Sequence, residues 1–182
     1  AEGMVVAPGF VDLHCHLREP GYEDRETLAT GTRAAARGGF TAVCAMPNTN
    51  PPGDTRATVE LVLAQARSHA SIRVLPIGCV TRGRLGKELA DLGELADAGV
   101  VAFSDDGSPV ADANLMRQAL TYCLALSLPV IDHCEDPSLS AGGCMNEGAV
   151  SYRLGLKGTP AAAEETMVAR DIALAALTGG RV

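Results

Sequence analysis

Five short apolar runs recur along the chain at a nearly constant pitch, and that pitch restricts the possible folds more than any other feature. The runs Gly9 to Leu13, Phe40 to Ala45, Ile72 to Gly78, Val100 to Ser104 and Pro129 to His133 begin 31, 32, 28 and 29 residues apart. Each is bounded by Gly, Pro or polar residues and is apolar on both faces, the pattern of a parallel strand buried between two layers. Apolar residues at helical spacing lie between them: Val59, Val62, Leu63 and Ala66, then Leu85, Leu89, Leu92 and Ala96, then Leu115, Ala119, Cys123 and Leu124. A further helix is signalled by Thr159 as N-cap, Pro160 at the first helical position, Glu164 and Glu165 in the first turns, and Gly179 and Gly180 after its end. The repeat is therefore βα, with five units in 182 residues. A (β/α)8 TIM barrel takes about 250 residues, so on that reading only five of its units are present. A doubly wound open sheet of five strands fits the same alternation.

The placement of polar residues favours the barrel. They follow the end of every run: His14, His16 and Arg18; Asn48; Thr81 and Arg82; Asp105 and Asp106; His133 and Glu135. Such a rim around the carboxyl ends of the strands is where barrels carry their active sites, whereas an open sheet gathers its ligand groups at one switch point. His14 and His16 are two apart at a strand end, so their rings project from one face and Cys15 from the other. With Asp106 and His133 at neighbouring strand ends, the donors are imidazole and carboxylate, a set that suits zinc. Asp105 and Asp106 point to opposite sides, so one of the two at most faces such an ion. Arg18 can anchor a carboxylate through its planar fork or pair with Asp24 or Glu19. By composition alone, Asn48 within Pro47 to Pro52 reads as a turn residue.

Charge and composition exclude other classes. Fifteen Lys and Arg against 22 Asp and Glu leave a net charge of −7, which disfavours nucleic acid and anionic membrane surfaces as partners and favours small molecules. No apolar run approaches the roughly 20 residues of a membrane span, and residues 1–10 lack a basic segment followed by an apolar one, so the expected location is cytoplasmic. The six cysteines contain no C-x-x-C pair and are expected as free thiols. No phosphate-binding loop of the G-x-x-x-x-G-K-[ST] kind occurs.

Four segments together carry a family likeness: Pro8 to Gly21 with its H-x-H-L-R, Met46 to Pro52 with P-N-T-N-P-P, Phe103 to Val110 with D-D-G-x-P-V, and Asp132 to Asp136. The chain resembles the class I dihydroorotases of the amidohydrolase superfamily from about Ala7 to its last residue. The first motif marks cyclic amidases at large, and the combination points to dihydroorotases. The resemblance implies a metal-dependent barrel that interconverts N-carbamoyl-L-aspartate and L-dihydroorotate in pyrimidine synthesis, with one or two zinc ions. It implies His14 and His16 as ligands of a first zinc, Asp106 as a carboxylate shared between two metal positions, and His133 as a ligand of a second. It assigns substrate binding to His16, Arg18 and Asn48, overturning the turn reading of Asn48. Neither Lys87 nor Lys157 lies at a strand end, so a bridging aspartate replaces the carboxylated lysine of many relatives.

The same resemblance places a further histidine ligand just after Val182 and the general acid/base aspartate on a later strand, so the 182-residue portion alone is expected to be inactive. Residues 1–8 are expected to be the end of a linker from a small β domain, and residues 9–182 a partial barrel. A homodimer and association with aspartate carbamoyltransferase are implied as partners. Alternatives are a dihydropyrimidinase-, hydantoinase- or allantoinase-like cyclic amidase, or a non-catalytic dihydroorotase-like scaffold. The retained metal-ligand set argues against the scaffold.

Overall fold

In the computed structural model, which describes residues 2–182, the first three apolar runs form one parallel sheet. Strands β1 (Phe10–Cys15), β2 (Phe40–Ala45) and β3 (Arg73–Pro76) are neighbours in that order, and β2 pairs in parallel with both others. Helices α1 (Leu28–Arg37) and α2 (Arg56–His69) make the crossovers. The fourth and fifth runs continue the sheet as single parallel bridges, Gly78 with Phe103 and Phe103 with Val130. Phe103 donates its N–H to the Pro129 carbonyl (3.0 Å) and accepts from Ile131 N–H (2.8 Å), the alternating bonding of a parallel ladder. Beyond it, Val130 N–H donates to the Arg181 carbonyl at 2.9 Å, so a sixth strand position begins at the end of α7 (Ala162–Thr178). Consecutive parallel strands in chain order with a helical crossover between neighbours are the first units of a (β/α)8 barrel.

Local chemistry sets the helix ends. Thr27, Thr55, Asp91 and Asp112 each accept a hydrogen bond from the backbone two to three residues into α1, α2, α3 (Leu92–Ala98) and α4 (Ala113–Leu126). Gly179 ends α7 at φ 75°, a left-handed conformation that glycine adopts without strain. The largest core cluster packs Leu92 and Leu95 of α3 and Met116, Ala119, Leu120 and Cys123 of α4 around Phe103, Val110 and Val130. Phe103 is fully buried. On β1, by contrast, Phe10, Val11 and Leu13 are more than half exposed, because that strand has a neighbour on one side only among the described residues. Among the same residues no helix is long and apolar enough to cross a membrane.

Two sequence expectations need correction. The helix expected across Leu85 to Ala96 forms only over α3. Residues 81–90 instead make a short 3-10 turn at Arg82–Arg84 and a return segment in which Thr81 pairs antiparallel with Leu89. Leu85 is largely exposed there, so helical spacing reported a pattern that tertiary pairing overrode. Thr159 is not the N-cap of α7: it lies in β5 (Gly158–Thr159), which pairs with β4 (Met145–Asn146), and the helix starts three residues later. The excursion between the fifth strand position and α7 also contains the short helices α5 (Pro137–Ser140) and α6 (Ala149–Leu154).

Candidate metal centre

Four of the five strand ends deliver a polar residue to one place. Asp106, whose side chain is 9% exposed, is the hub: its Oδ1 lies 3.1 Å from His14 Nε2 and its Oδ2 3.5 Å from His16 Nε2. His133 Nδ1 is 3.8 Å from the same Oδ1. Donor atoms of His14, His16 and Asp106 all lie within 4.8 Å of one another. Two ligands on a tetrahedral zinc with bonds of ~2.0–2.1 Å are about 3.3 Å apart, so the imidazole to carboxylate separations are those of groups that share an ion. Cys15, between the two histidines, turns the other way and packs beside Leu17, Leu28 and Val43. Burial, and after it the Asp12 carboxylate, push its thiol up to about 12, which disfavours the thiolate a metal would need.

The protonation pattern of the rings follows from their outer partners. Asp106 offers only acceptors to Asn48, so the Asn48 Nδ2 that lies 3.2 Å from Asp106 Oδ2 is the donor. Asn48 Oδ1 then faces His16 Nδ1 at 3.0 Å and accepts its proton. In the neutral ring this leaves a lone pair on His16 Nε2, aimed at a carboxylate oxygen. On His133 the same logic runs through Nε2, 3.3 Å from Glu135 Oε2, leaving Nδ1 to face Asp106. Glu135 is held below its usual range by a hydrogen bond with Ser140 and then by one with His133, so it is a charged acceptor. A divalent cation between the inner nitrogens and the carboxylate would accept lone pairs from all of them. Histidines oriented by acceptors on their far nitrogens are the usual support of metal-binding rings. The donor set therefore fits zinc or a similar divalent ion.

Asp105 takes the opposite direction, as alternation requires. Its carboxylate accepts from Val80 N–H (2.9 Å), Thr81 N–H (3.1 Å) and the Thr81 hydroxyl. Burial pushes its pKa up against those hydrogen bonds. Thr81 thus stands inside the scaffold, and among the described residues the Arg82 side chain forms only an exposed ion pair, with Glu88 at 3.9 Å. Arg18 sits two residues past His16 with φ 63°, and its guanidinium has no hydrogen-bond or ion-pair partner among the described residues. Asn48 reaches the centre, yet its Nδ2 faces the carboxylate and, at 3.5 Å, the carbonyl of Asp106 while its Oδ1 faces His16, and Arg18 and Asn48 make no hydrogen bond with each other.

Sequence reasoning missed two arginines that brace the centre from behind. Arg84 donates to the carbonyls of Asp105 and Asp106. Arg170 of α7 donates to the carbonyl of Val110 (2.8 Å) and pairs with Asp132 (3.1 Å), the residue before His133. Neither lies at a strand end or in a short motif, so no local signal marks them. In front of the centre, a cleft of about 760 Å³ is bordered by His14, Asp106, His133, Glu135, Asn146 and Glu164, within the range of small-molecule sites.

A family model described as Dihydro-orotase-like matches residues 3–181. A dihydroorotase of Solibacter usitatus is 56% identical over 181 residues, covering 100% of this chain and 42% of its own length. A dihydroorotase of Pelotomaculum thermopropionicum is 59% identical over 182 residues with the same shares. The chain thus spans less than half the length of these curated relatives. Among solved structures, an L-hydantoinase (dihydropyrimidinase) from Arthrobacter aurescens superposes with a TM-score of 0.75 at 20% identity, over 96% of this chain and 40% of that one. The dihydroorotase of Saccharomyces cerevisiae in complex with 5-fluoroorotic acid gives 0.66 at 16% identity, over 97% of this chain and 47% of that one. At those identities the structures establish shared fold.

Proposed function

The chain belongs to the dihydroorotase-like family, and we propose that the protein carrying it is a zinc-dependent cyclic amidohydrolase that interconverts N-carbamoyl-L-aspartate and L-dihydroorotate in pyrimidine synthesis. The observation that supports this reading best is the pair of oriented rings, His16 bonded outward to Asn48 and His133 bonded outward to Glu135, both presenting their inner nitrogens to Asp106. His14, His16, Asp106 and His133 hold the metal in this proposal. Bound zinc supplies Lewis-acid polarisation of an amide carbonyl and brings the pKa of water down to about 7. The chain's own residues do the rest. Asn48 and Glu135 keep the rings in the coordinating tautomer, and Asp106 compensates the charge of the ion from a nearly buried position. Arg18, without a side-chain partner among the described residues, offers a bidentate fork to the substrate carboxylate, and Asn48 completes the clamp by turning to the substrate the Nδ2 hydrogen that otherwise makes a long 3.5 Å contact with the Asp106 carbonyl. The general acid/base is supplied from outside these residues.

The test uses the full-length protein. It is expected to hold zinc and to turn over dihydroorotate and carbamoyl aspartate in preference to hydantoin, dihydrouracil or allantoin. Preference for one of the uncharged rings would overturn the carboxylate clamp and favour a hydantoinase-like reading. Arg18→Lys keeps the charge but loses the planar fork, so KM for dihydroorotate should rise about tenfold or more while kcat changes less, given the ~1.5–3 kcal/mol of a hydrogen bond to a charged group. An unchanged KM in steady-state assays would reject the assignment. Homodimerisation and association with aspartate carbamoyltransferase, which the family resemblance implies, are tested by the mass of the same protein in solution, alone and mixed with that enzyme.

A further inference from the structure

Asp106 lies in a segment without regular structure between the fourth strand position and α4, so backbone hydrogen bonds of a helix or sheet do not fix its carboxylate. Its own N–H donates to Ser104 Oγ at 3.0 Å, its carboxylate accepts from Asn48 Nδ2 at 3.2 Å, and its carbonyl, 3.5 Å from the same Asn48 nitrogen, is held more closely by Arg84. The Arg84 Nη2 donates to the Asp106 carbonyl and lies 3.4 Å from both the Asp105 carbonyl and Ser108 Oγ. Three residues of that loop, Asp105, Asp106 and Ser108, therefore close on a single nitrogen. Arg84 is itself delivered with effort: its backbone is left-handed at φ 57° without being glycine, and its Nε is buried with no hydrogen-bond partner. Both features cost free energy. Beside it Gly107 takes a φ of 80°, a left-handed conformation that glycine adopts without strain. On the other side Thr81, three residues before Arg84, donates its hydroxyl to Asp105. The segment that bears Arg84 thus grips both aspartates, one by its carboxylate and the other by its carbonyl.

We propose that Arg84 is a positioning residue for the metal-binding carboxylate: by clamping the carbonyls of Asp105 and Asp106 it sets the direction of Asp106 toward His14, His16 and His133. The inference rests on the metal-centre reading above and deepens it. Among the described residues Arg84 makes no hydrogen bond to a donor atom of the centre; it acts through the backbone of Asp106. A lysine at this position keeps the charge on a shorter, single-headed group and cannot reproduce the fork geometry.

The test is a Co²⁺ titration of metal-stripped full-length protein, following both affinity and the visible spectrum, which reports coordination geometry. Wild type, Arg84→Met, Arg84→Lys and the exposed control Arg82→Ala are compared. Arg84→Met should bind Co²⁺ about 10- to 100-fold more weakly, the usual cost of losing outer support of a ligand, with a changed spectrum. Arg84→Lys should fall between it and wild type, and Arg82→Ala should match wild type. Should Arg84→Met not fold, the Arg84→Lys spectrum and affinity decide alone. Wild-type affinity and spectrum in the folded Arg84 variants would overturn the role of Arg84 while leaving the metal centre standing. Failure of the wild type to bind Co²⁺ would instead remove the metal-centre reading itself.

Discussion

Asp106→Asn in the full-length protein should lower dihydroorotate turnover at least 100-fold and leave the protein largely without zinc. The size follows from what the side chain does. Outer residues that merely orient a metal ligand cost ~10- to 100-fold when lost, and Asp106 lies within reach of all three rings, at 3.1, 3.5 and 3.8 Å. Asparagine preserves its shape, and therefore the packing of the loop, but removes the negative charge and presents N–H groups where two imidazole lone pairs converge. Metal content by atomic absorption and kcat/KM check the result. Wild-type zinc content with a wild-type rate would show that Asp106 is not a ligand. A thermal melt in the presence of a chelator serves as control, since with the ion removed from both proteins the variant should unfold close to the wild type.

Arg170→Met should cost about 3–5 kcal/mol of folding stability, the range found when one member of a buried ion network is removed and its partners stay. Arg170 pairs with Asp132 at 3.1 Å and Asp171 at 2.7 Å, and those carboxylates are only 2% and 4% exposed. It also donates to the carbonyls of Val110 and Ala111, so the loss extends into the loop after Asp106. Burial first, and then hydrogen bonding and repulsion from Asp171, push Asp132 up to about 7, with Arg170 opposing. Its unfolded value is near 3.8. Between those values the folded chain keeps a proton that the unfolded chain releases, so this group's contribution is present below about pH 4 and is lost as pH rises through about 7. Without Arg170 the two carboxylates depend more on that proton, and the destabilisation should be larger at pH 8 than at pH 5. Urea unfolding at the two pH values measures both effects. Adding Asp171→Asn to Arg170→Met should recover much of the loss. An unfolding free energy within about 0.5 kcal/mol of wild type, on the scale typical of surface substitutions, would show the network to be dispensable.

Much of the architecture is written locally. Parallel strands surrounded by helices must be short and apolar, so the runs at Phe40 to Ala45 and Ile72 to Gly78 are visible without a partner, and β2 has the expected bounds while β3 occupies the middle of its run. Thr55 and Asp112 cap α2 and α4 by bonds within their own turns, yet the one cap read from the sequence, Thr159, lies in β5 instead. His14 and His16 are legible as one face of a strand end because alternation is a property of the backbone, and Asp105 and Asp106 must diverge for the same reason. What the folded structure alone decided is what those groups meet. Asn48 looks like a turn former until Asp106, 58 residues away, takes its amide hydrogen. Arg84 and Arg170 look like ordinary charged residues until they reach carbonyls 22 and 60 positions distant. Leu85 and Leu89 carry helical spacing, yet Thr81 and Leu89 pair across a turn because the loop must reach Asp105 and Asp106. Periodicity and capping depend on neighbours within a few residues, which the order of amino acids specifies directly. The aim of a carboxylate or the tautomer of an imidazole depends on which distant groups the closing sheet brings within 3 Å, and that is decided by tertiary packing.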